Sequence, residues 1–169
     1  HADGYSGFAK LYDISGAHGS DRALLHGPPR VAEVACWAHV RRFFVDEWKS
    51  SAAPVANEAI ERIGALFDIE RLIKGAPADQ RRNVRQRLAK PRLEELAEWF
   101  DVTLAKLPPK SDLAAAIRYA RTRWRALTCY LDDGRLEISN NAAENQIRPI
   151  ALGRKNWLFA GSDAGGERA

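Results

Sequence analysis

Leu93-Glu-Glu-Leu96-Ala-Glu-Trp-Phe100-Asp-Val-Thr-Leu104-Ala-Lys-Leu107 carries the clearest architectural signal in the chain. Its large apolar residues at 93, 96, 100, 104 and 107 advance by 3, 4, 4 and 3, the spacing of one apolar stripe on an α-helix. Pro108-Pro109 stops that helix, because proline has no N–H to donate and its ring collides with the preceding turn. Ser111 is a good N-cap for a further helix. The pattern predicts one continuous helix from Ser111 to Leu131 with Ile117, Trp124, Leu127 and Leu131 on one face. Such a helix is roughly 30 Å long at about 1.5 Å per residue.

The same periodicity extends toward the N-terminus. Ile60, Ile63 and Phe67 step by three and four in a helix that begins near Pro54 and is interrupted by Gly75-Ala76-Pro77. A second helix begins near Asp79, and Pro91 is expected to kink or split it. Trp37 to Lys49 also reads as a helix. Val31-Ala-Glu-Val-Ala-Cys36 is short and apolar after Pro29 and is expected to be a buried strand. Tyr5, Phe8 and Tyr12 share a side of a short helix, and residues 13–30 form a loop. Asp132-Asp133-Gly134 is a turn. Ser139-Asn140-Asn141 offers N-caps for a short helix from Asn141 to Arg148, ended by Pro149. Residues 150–160 are apolar around Gly153-Arg154-Lys155, and the tail from Gly161 is a loop or a cut end. The chain is therefore mostly α. A single strand cannot make a sheet, so either the chain is all-α with one stray segment or its sheet partners lie upstream of His1.

With 169 residues, 46% apolar and 28% charged, the chain is globular in composition rather than disordered. It has no apolar run of about 18 residues, the length a membrane span requires. The N-terminus has no basic stretch followed by an apolar one, so a signal peptide is not expected. Cys36 and Cys129 are too few for a disulfide framework, and a reducing cytoplasm is the expected compartment. The absence of Met leads to the expectation that the chain is a piece of something longer. The net charge of +4 is mild, but its distribution is uneven. Arg81, Arg82, Arg85, Arg87, Lys90 and Arg92 form a basic run without an acid, as do Arg118, Arg121, Arg123 and Arg125. These are candidate phosphate contacts, or simply the solvated faces of helices.

Several residues have the character of chemistry-bearing groups. Asp3, followed by Gly4 at a candidate strand end, sits as ligand-binding residues do in α/β folds, or it is an ordinary Asp-Gly turn. Glu144 lies on a short capped helix among small residues that let a large partner approach the backbone. Equally, it is a solvent-facing Glu favoured by the helix dipole. Cys36 and His39 have ligand-like spacing, but no second pair matches it, and zinc needs about four ligands. A structural hydrogen-bonding role for His39 near a polar site is the better reading. Gly153-Arg154-Lys155-Asn156-Trp157 combines two cations with an aromatic, a combination suited to a phosphate backbone and a stacked base. There is no glycine-rich phosphate loop, no G-x-S-x-G and no Cys-x-x-Cys, so nucleotide-cofactor and nucleophilic-hydrolase chemistry have no support.

Four blocks together resemble the transposases of the sixty-six family of bacterial insertion sequences. They are Asp3-Gly4-Tyr5-Ser6-Gly7-Phe8, Cys36-Trp37-Ala38-His39-Val40-Arg41-Arg42-Phe43, Asn140-Asn141-Ala142-Ala143-Glu144, and the segment from Arg148-Pro149 to Gly161-Ser162. Ile117-Arg118-Tyr119-Ala120 and Leu131-Asp132-Asp133-Gly134-Arg135 match in character as well. The resemblance covers essentially the whole chain, and its last block is long and specific.

The resemblance implies a DDE transposase with a ribonuclease-H-like α/β catalytic core in which three carboxylates hold two divalent ions, Mg²⁺ or Mn²⁺. The second carboxylate falls on Asp3 and the third on Glu144, with His39, Asn140 and Asn141 close behind them. Arg41, Arg42, Arg148, Arg154, Lys155 and Trp157 fall at positions suited to DNA. The implied division is residues 1–44 as part of the core, 45–131 as a helical insertion, and 132–169 as the core helix with Glu144 and the basic, aromatic segment. DNA is the implied partner, and the complete enzyme is expected to be a homo-oligomer. Asn145 departs from the family, where Arg more often follows the Glu. The first Asp is expected upstream of His1, so the chain alone is expected to be inactive. A non-enzymatic helical DNA-binding module and a decayed transposase relic are the alternatives.

Overall fold

The computed structural model describes residues 33–141 and Asn145. The expected helix at 5–12, the loop at 13–30 and the segments from Gln146 onward lie outside the described residues. The chain divides into two compact units after Ser139. The described part of the first unit is helical: α1 (Trp37–Ser51), α2 (Pro54–Leu72), α3 (Ala78–Val84), a π-helical turn (Arg85–Ala89), α4 (Lys90–Leu104), α5 (Asp112–Thr122), α6 (Trp124–Thr128) and a 3₁₀ turn (Cys129–Leu131). The mostly-α expectation therefore holds for these residues. In the second unit, Asn141 and Asn145 are helical.

The helices begin and end for local reasons. Pro54 opens α2 in the first turn, where a missing N–H is harmless. Gly75 adopts φ +80° just after that helix ends, a conformation that costs glycine little. The Ser111 hydroxyl accepts from the Ala114 N–H at 3.2 Å, the expected N-cap. Pro91 does not break its helix. The π-helical turn immediately before Lys90 makes room for the proline ring, and the backbone runs on as α4.

The core is one cluster shared by all the long helices. Leu93, Leu96 and Phe100 of α4 are buried, while Leu104 and Leu107 pack half-buried at the edge of the cluster. From α2 come Ala56, Ala59, Ile63, Leu66 and Ile69, so the buried stripe is centred on Ile63, with Ile60 and Phe67 at its flanks. Phe44 of α1 stacks on Phe100 with centroids 5.8 Å apart. Trp37 is fully buried, meets Trp124 edge-on at 5.7 Å and donates from Nε1 to the Leu127 carbonyl at 2.8 Å.

Two expectations are corrected. Residues 33–36 belong to no strand, although Cys36 is extended: the Ala35 N–H donates to the Ala126 carbonyl at 3.0 Å, so the partner is a helix end rather than a neighbouring strand. The predicted Ser111–Leu131 helix is broken at Arg123, whose φ −105°, ψ 14° lies outside the helical well. Beyond the break, α6 ends at Thr128, where the carbonyls of Ala126 and Leu127 are taken by Ala35 N–H and Trp37 Nε1, groups far away in sequence that no local pattern reveals. Thr128 also bonds its hydroxyl back to the Trp124 carbonyl at 2.9 Å, a habit that bends helix ends.

Candidate functional site

His39, Arg41 and Arg42 lie in the first two turns of α1. That end of the helix is fixed from two directions: Trp37 Nε1 is held by Leu127, and the Trp37 N–H donates to the Ile138 carbonyl at 3.1 Å. Ile138 is only two residues before Asn140 in the chain. His39 and Arg41 are half-buried and Arg42 is exposed. In the second unit, Asn140 is buried, whereas Asn141 and Asn145 face solvent. Asp3, Glu144, Arg148, Arg154, Lys155 and Trp157 lie outside the described residues. Among the described residues, no three of His, Cys, Asp or Glu gather where a metal ion could be held. Cys36 is buried and Cys129 half-buried, both as free thiols, and burial pushes the Cys129 thiol above its ordinary pKa.

The basic runs prove to be partly internal. Arg85 is fully buried and grips Glu70 with both ends of its fork, Nε to Oε1 at 2.8 Å and NH2 to Oε2 at 2.6 Å. Its remaining nitrogen donates to the carbonyls of Tyr130 at 3.0 Å and Asp133 at 3.2 Å. The guanidinium also lies 5.0 Å from the centre of the Tyr130 ring. Arg81 bonds Glu137 at 2.8 Å, and that bond raises its pKa further. In the second run, Arg118 caps the Pro109 carbonyl at 2.7 Å and Arg121 pairs with Asp101 at 2.8 Å. Arg123 covers the Tyr119 ring at 4.2 Å. Arg81 and Arg85 are thus engaged inside the chain rather than presented as phosphate contacts or a solvated face, whereas Arg118 and Arg121 each hold one partner at the surface. Arg82, Arg87, Lys90 and Arg92 remain exposed.

Arg85, Glu70 and Gly134 are the residues that sequence reasoning missed. All three position the segment leading to Asn140. A Cβ at Gly134 would stand 1.7 Å from the Ala78 carbonyl oxygen, so only glycine lets this turn lie against the start of α3. A signal for the ion pair did exist. Arg85, Ala89 and Leu93 step by four in register with the apolar stripe, and Glu70 follows Ile63 and Leu66 toward Ile73 in the same way. A charge of each sign on two apolar stripes points to a buried pair rather than to two solvated faces.

Comparison with known proteins is consistent with these features. The model of the family described as "Transposase IS66 family" matches residues 1–168. The uncharacterized protein y4hP of Sinorhizobium fredii is 36% identical over 181 aligned residues, covering 100% of this chain and 33% of that protein. Protein y4qI of the same organism is 38% identical, covering 97% of this chain and 29% of its own length. Protein y4jD is 35% identical, covering 98% and 31%. The chain thus spans about a third of the length of the curated relatives it matches. No solved structure matches. With a family model spanning residues 1–168 and the Asp-Gly-Tyr and Asn-Asn-Ala-Ala-Glu motifs both within it, the chain belongs to the IS66 transposase family.

Proposed function

We propose that this chain is part of the catalytic region of a DDE transposase, an enzyme that cuts DNA at the ends of a mobile element and joins those ends to a target. The observation that carries this reading is the family match over residues 1–168, which includes both Asp3 and Glu144. In this reading, residues 1–44 and 132–169 belong to a ribonuclease-H-like core, and residues 45–131 are a helical insertion within it. The hydrogen bonds from Ala35 to Ala126 and from Trp37 to Ile138 bring the chain before and after the helices side by side, the arrangement in which an inserted domain disturbs its host least, although α1 itself runs across the boundary at residue 44.

Asp3 and Glu144 offer hard carboxylate oxygens, the donor type that Mg²⁺ and Mn²⁺ prefer. Two such ions, when bound, stabilise charge on the attacking and leaving oxygens of an in-line displacement at phosphorus. Water is the first nucleophile and releases a 3′-hydroxyl at the element end. That hydroxyl then attacks a target phosphodiester, its proton is lost, and a target 3′-oxygen departs. Neither step needs a covalent link to protein, in keeping with the lack of a nucleophile motif. Arg41, Arg42, Arg148, Arg154 and Lys155 hold phosphates, and Trp157 stacks on a base. His39, Asn140 and Asn141 orient the carboxylates.

The test is a strand-transfer assay on the longest open reading frame containing this sequence. Glu144→Gln and Asp3→Asn are expected to bring cleavage and joining to background while retention of end DNA persists. Undiminished joining by either variant overturns the assignment. If joining is absent from the parent as well and DNA retention is unaffected by either variant, a non-enzymatic binding module is the correct reading.

A further inference from the structure

A groove of about 500 Å³ opens between α1 and α5, lined by Phe43, Asp46, Glu47, Ser50, Asp112, Ala115, Ala116 and Tyr119. Its floor is apolar, with Phe43 and Tyr119 packed edge-to-face, centroids 5.0 Å apart. Phe43 is 45% exposed, an unusual state for a residue in a packed aromatic pair. The lining includes three carboxylates and no cation, with one guanidinium, that of Arg123, beside it over the Tyr119 ring. A nucleic acid is repelled by such a site. A cationic side chain with a long apolar stem fits it, with the stem on Ala115 and Ala116, the charge among the carboxylates and an aromatic face beneath. Tyr119 already accepts one guanidinium in this way, from Arg123 of the same chain.

The complementary surface is on the same molecule. Arg85, Ala89 and Leu93 face the core along the continuous α3–α4 helix, which leaves Arg82, Arg87, Lys90 and Arg92 on its outer side. No acid occurs between Arg81 and Arg92 to neutralise them, and none of Arg82, Arg87 or Lys90 is in an ion pair among the described residues. We infer that the α1–α5 groove is a self-association site that receives the basic outer ridge of α3–α4 from a second copy of this chain. Charge complementarity of this kind sets the choice and register of partners.

A charge-swap experiment on the 169-residue chain tests it, read by sedimentation at low and moderate salt with circular dichroism to verify folding. The wild type is expected to associate reversibly, more weakly at higher salt. Asp46→Lys with Asp112→Lys reverses the groove, and Arg82→Glu, Arg87→Glu and Lys90→Glu reverse the ridge. Each set is expected to weaken association by at least about tenfold, because like charges then face one another. All five changes in one chain, or an equimolar mixture of the two variants, are expected to restore it. All five positions are exposed, so a folding failure is not expected, and recovery in the combined variant excludes one. A wild type that stays monomeric overturns the inference, as does association that survives groove reversal. Uptake of a short oligoarginine peptide by a strictly monomeric chain would assign the groove to a foreign basic partner instead.

Discussion

Replacing Glu70 with alanine isolates the one fully buried charge in the described structure. Arg85 has no solvent exposure and the Glu70 side chain is 10% exposed. Two hydrogen bonds, at 2.8 and 2.6 Å, join them in the fork geometry that makes arginine–carboxylate pairs strong. In Glu70→Ala the guanidinium keeps its bonds to the Tyr130 and Asp133 carbonyls, but its charge has no counterion and no water. Breaking a buried pair in this way costs about 3–5 kcal/mol. Against a usual stability of about 5–15 kcal/mol that is a large fraction of the total. At about 3 °C per kcal/mol for a domain of this size, the melting temperature should fall by roughly 10–15 °C. Removing both charges, with Glu70→Leu and Arg85→Met, spares the orphaned cation but leaves two carbonyls without a donor. It should cost less than Glu70→Ala alone, about 1–3 kcal/mol. Urea and thermal unfolding of wild type, both single variants and the double variant, followed by circular dichroism, give the coupling energy directly. A loss below about 1 kcal/mol for Glu70→Ala refutes the reasoning, since that is the value of a solvated surface pair.

Four further outcomes follow from particular contacts. Gly134→Ala forces a Cβ into the Ala78 carbonyl, 1.7 Å away, and should lower the urea midpoint by more than any core Leu→Val change. Gly64→Ala meets nothing within 4 Å in the interior of α2 and should instead raise stability by about 0.5–1 kcal/mol. Equal effects at the two glycines would sink the close-approach argument. Ser111→Ala removes the cap on α5 and should cost about 1 kcal/mol, whereas Ser111→Asp should retain most of it. Asp133 is held down to a pKa of about 2, chiefly by the Arg135 side chain and also by its backbone N–H. Its folded pKa is below the unfolded value of about 3.9, so its contribution is complete above about pH 4 and disappears as pH falls toward 2. Asp133→Asn should therefore flatten the stability profile in that window and leave its shape at neutral pH unchanged. An unaltered acid limb argues against the Asp133–Arg135 bond.

Most of the helical architecture is legible in the sequence, because helices announce themselves over short distances. The 3-4-4-3 spacing of Leu93 to Leu107, the Pro108-Pro109 stop, the Ser111 cap and the Gly75-Ala76-Pro77 break act through neighbours within one or two turns. The motifs around Asp3 and Glu144 are equally local, which is why family membership is legible in the residue pattern alone. Tertiary structure decided whatever depends on groups far apart in the chain. The helix after Arg123 ends at Thr128, where Ala35 and Trp37 take two carbonyls that a continuing helix would have used. Of the strand expected at 31–36, the described residues 33–36 form none, and Ala35 donates instead to a helix carbonyl, that of Ala126. Arg85, one of six cations in a run that reads as solvated, is buried because Glu70 waits 15 residues earlier on a packed neighbour. Hydrophobic periodicity is a property of adjacent turns, whereas the partner of a buried charge or an unused carbonyl is set by how the helices pack.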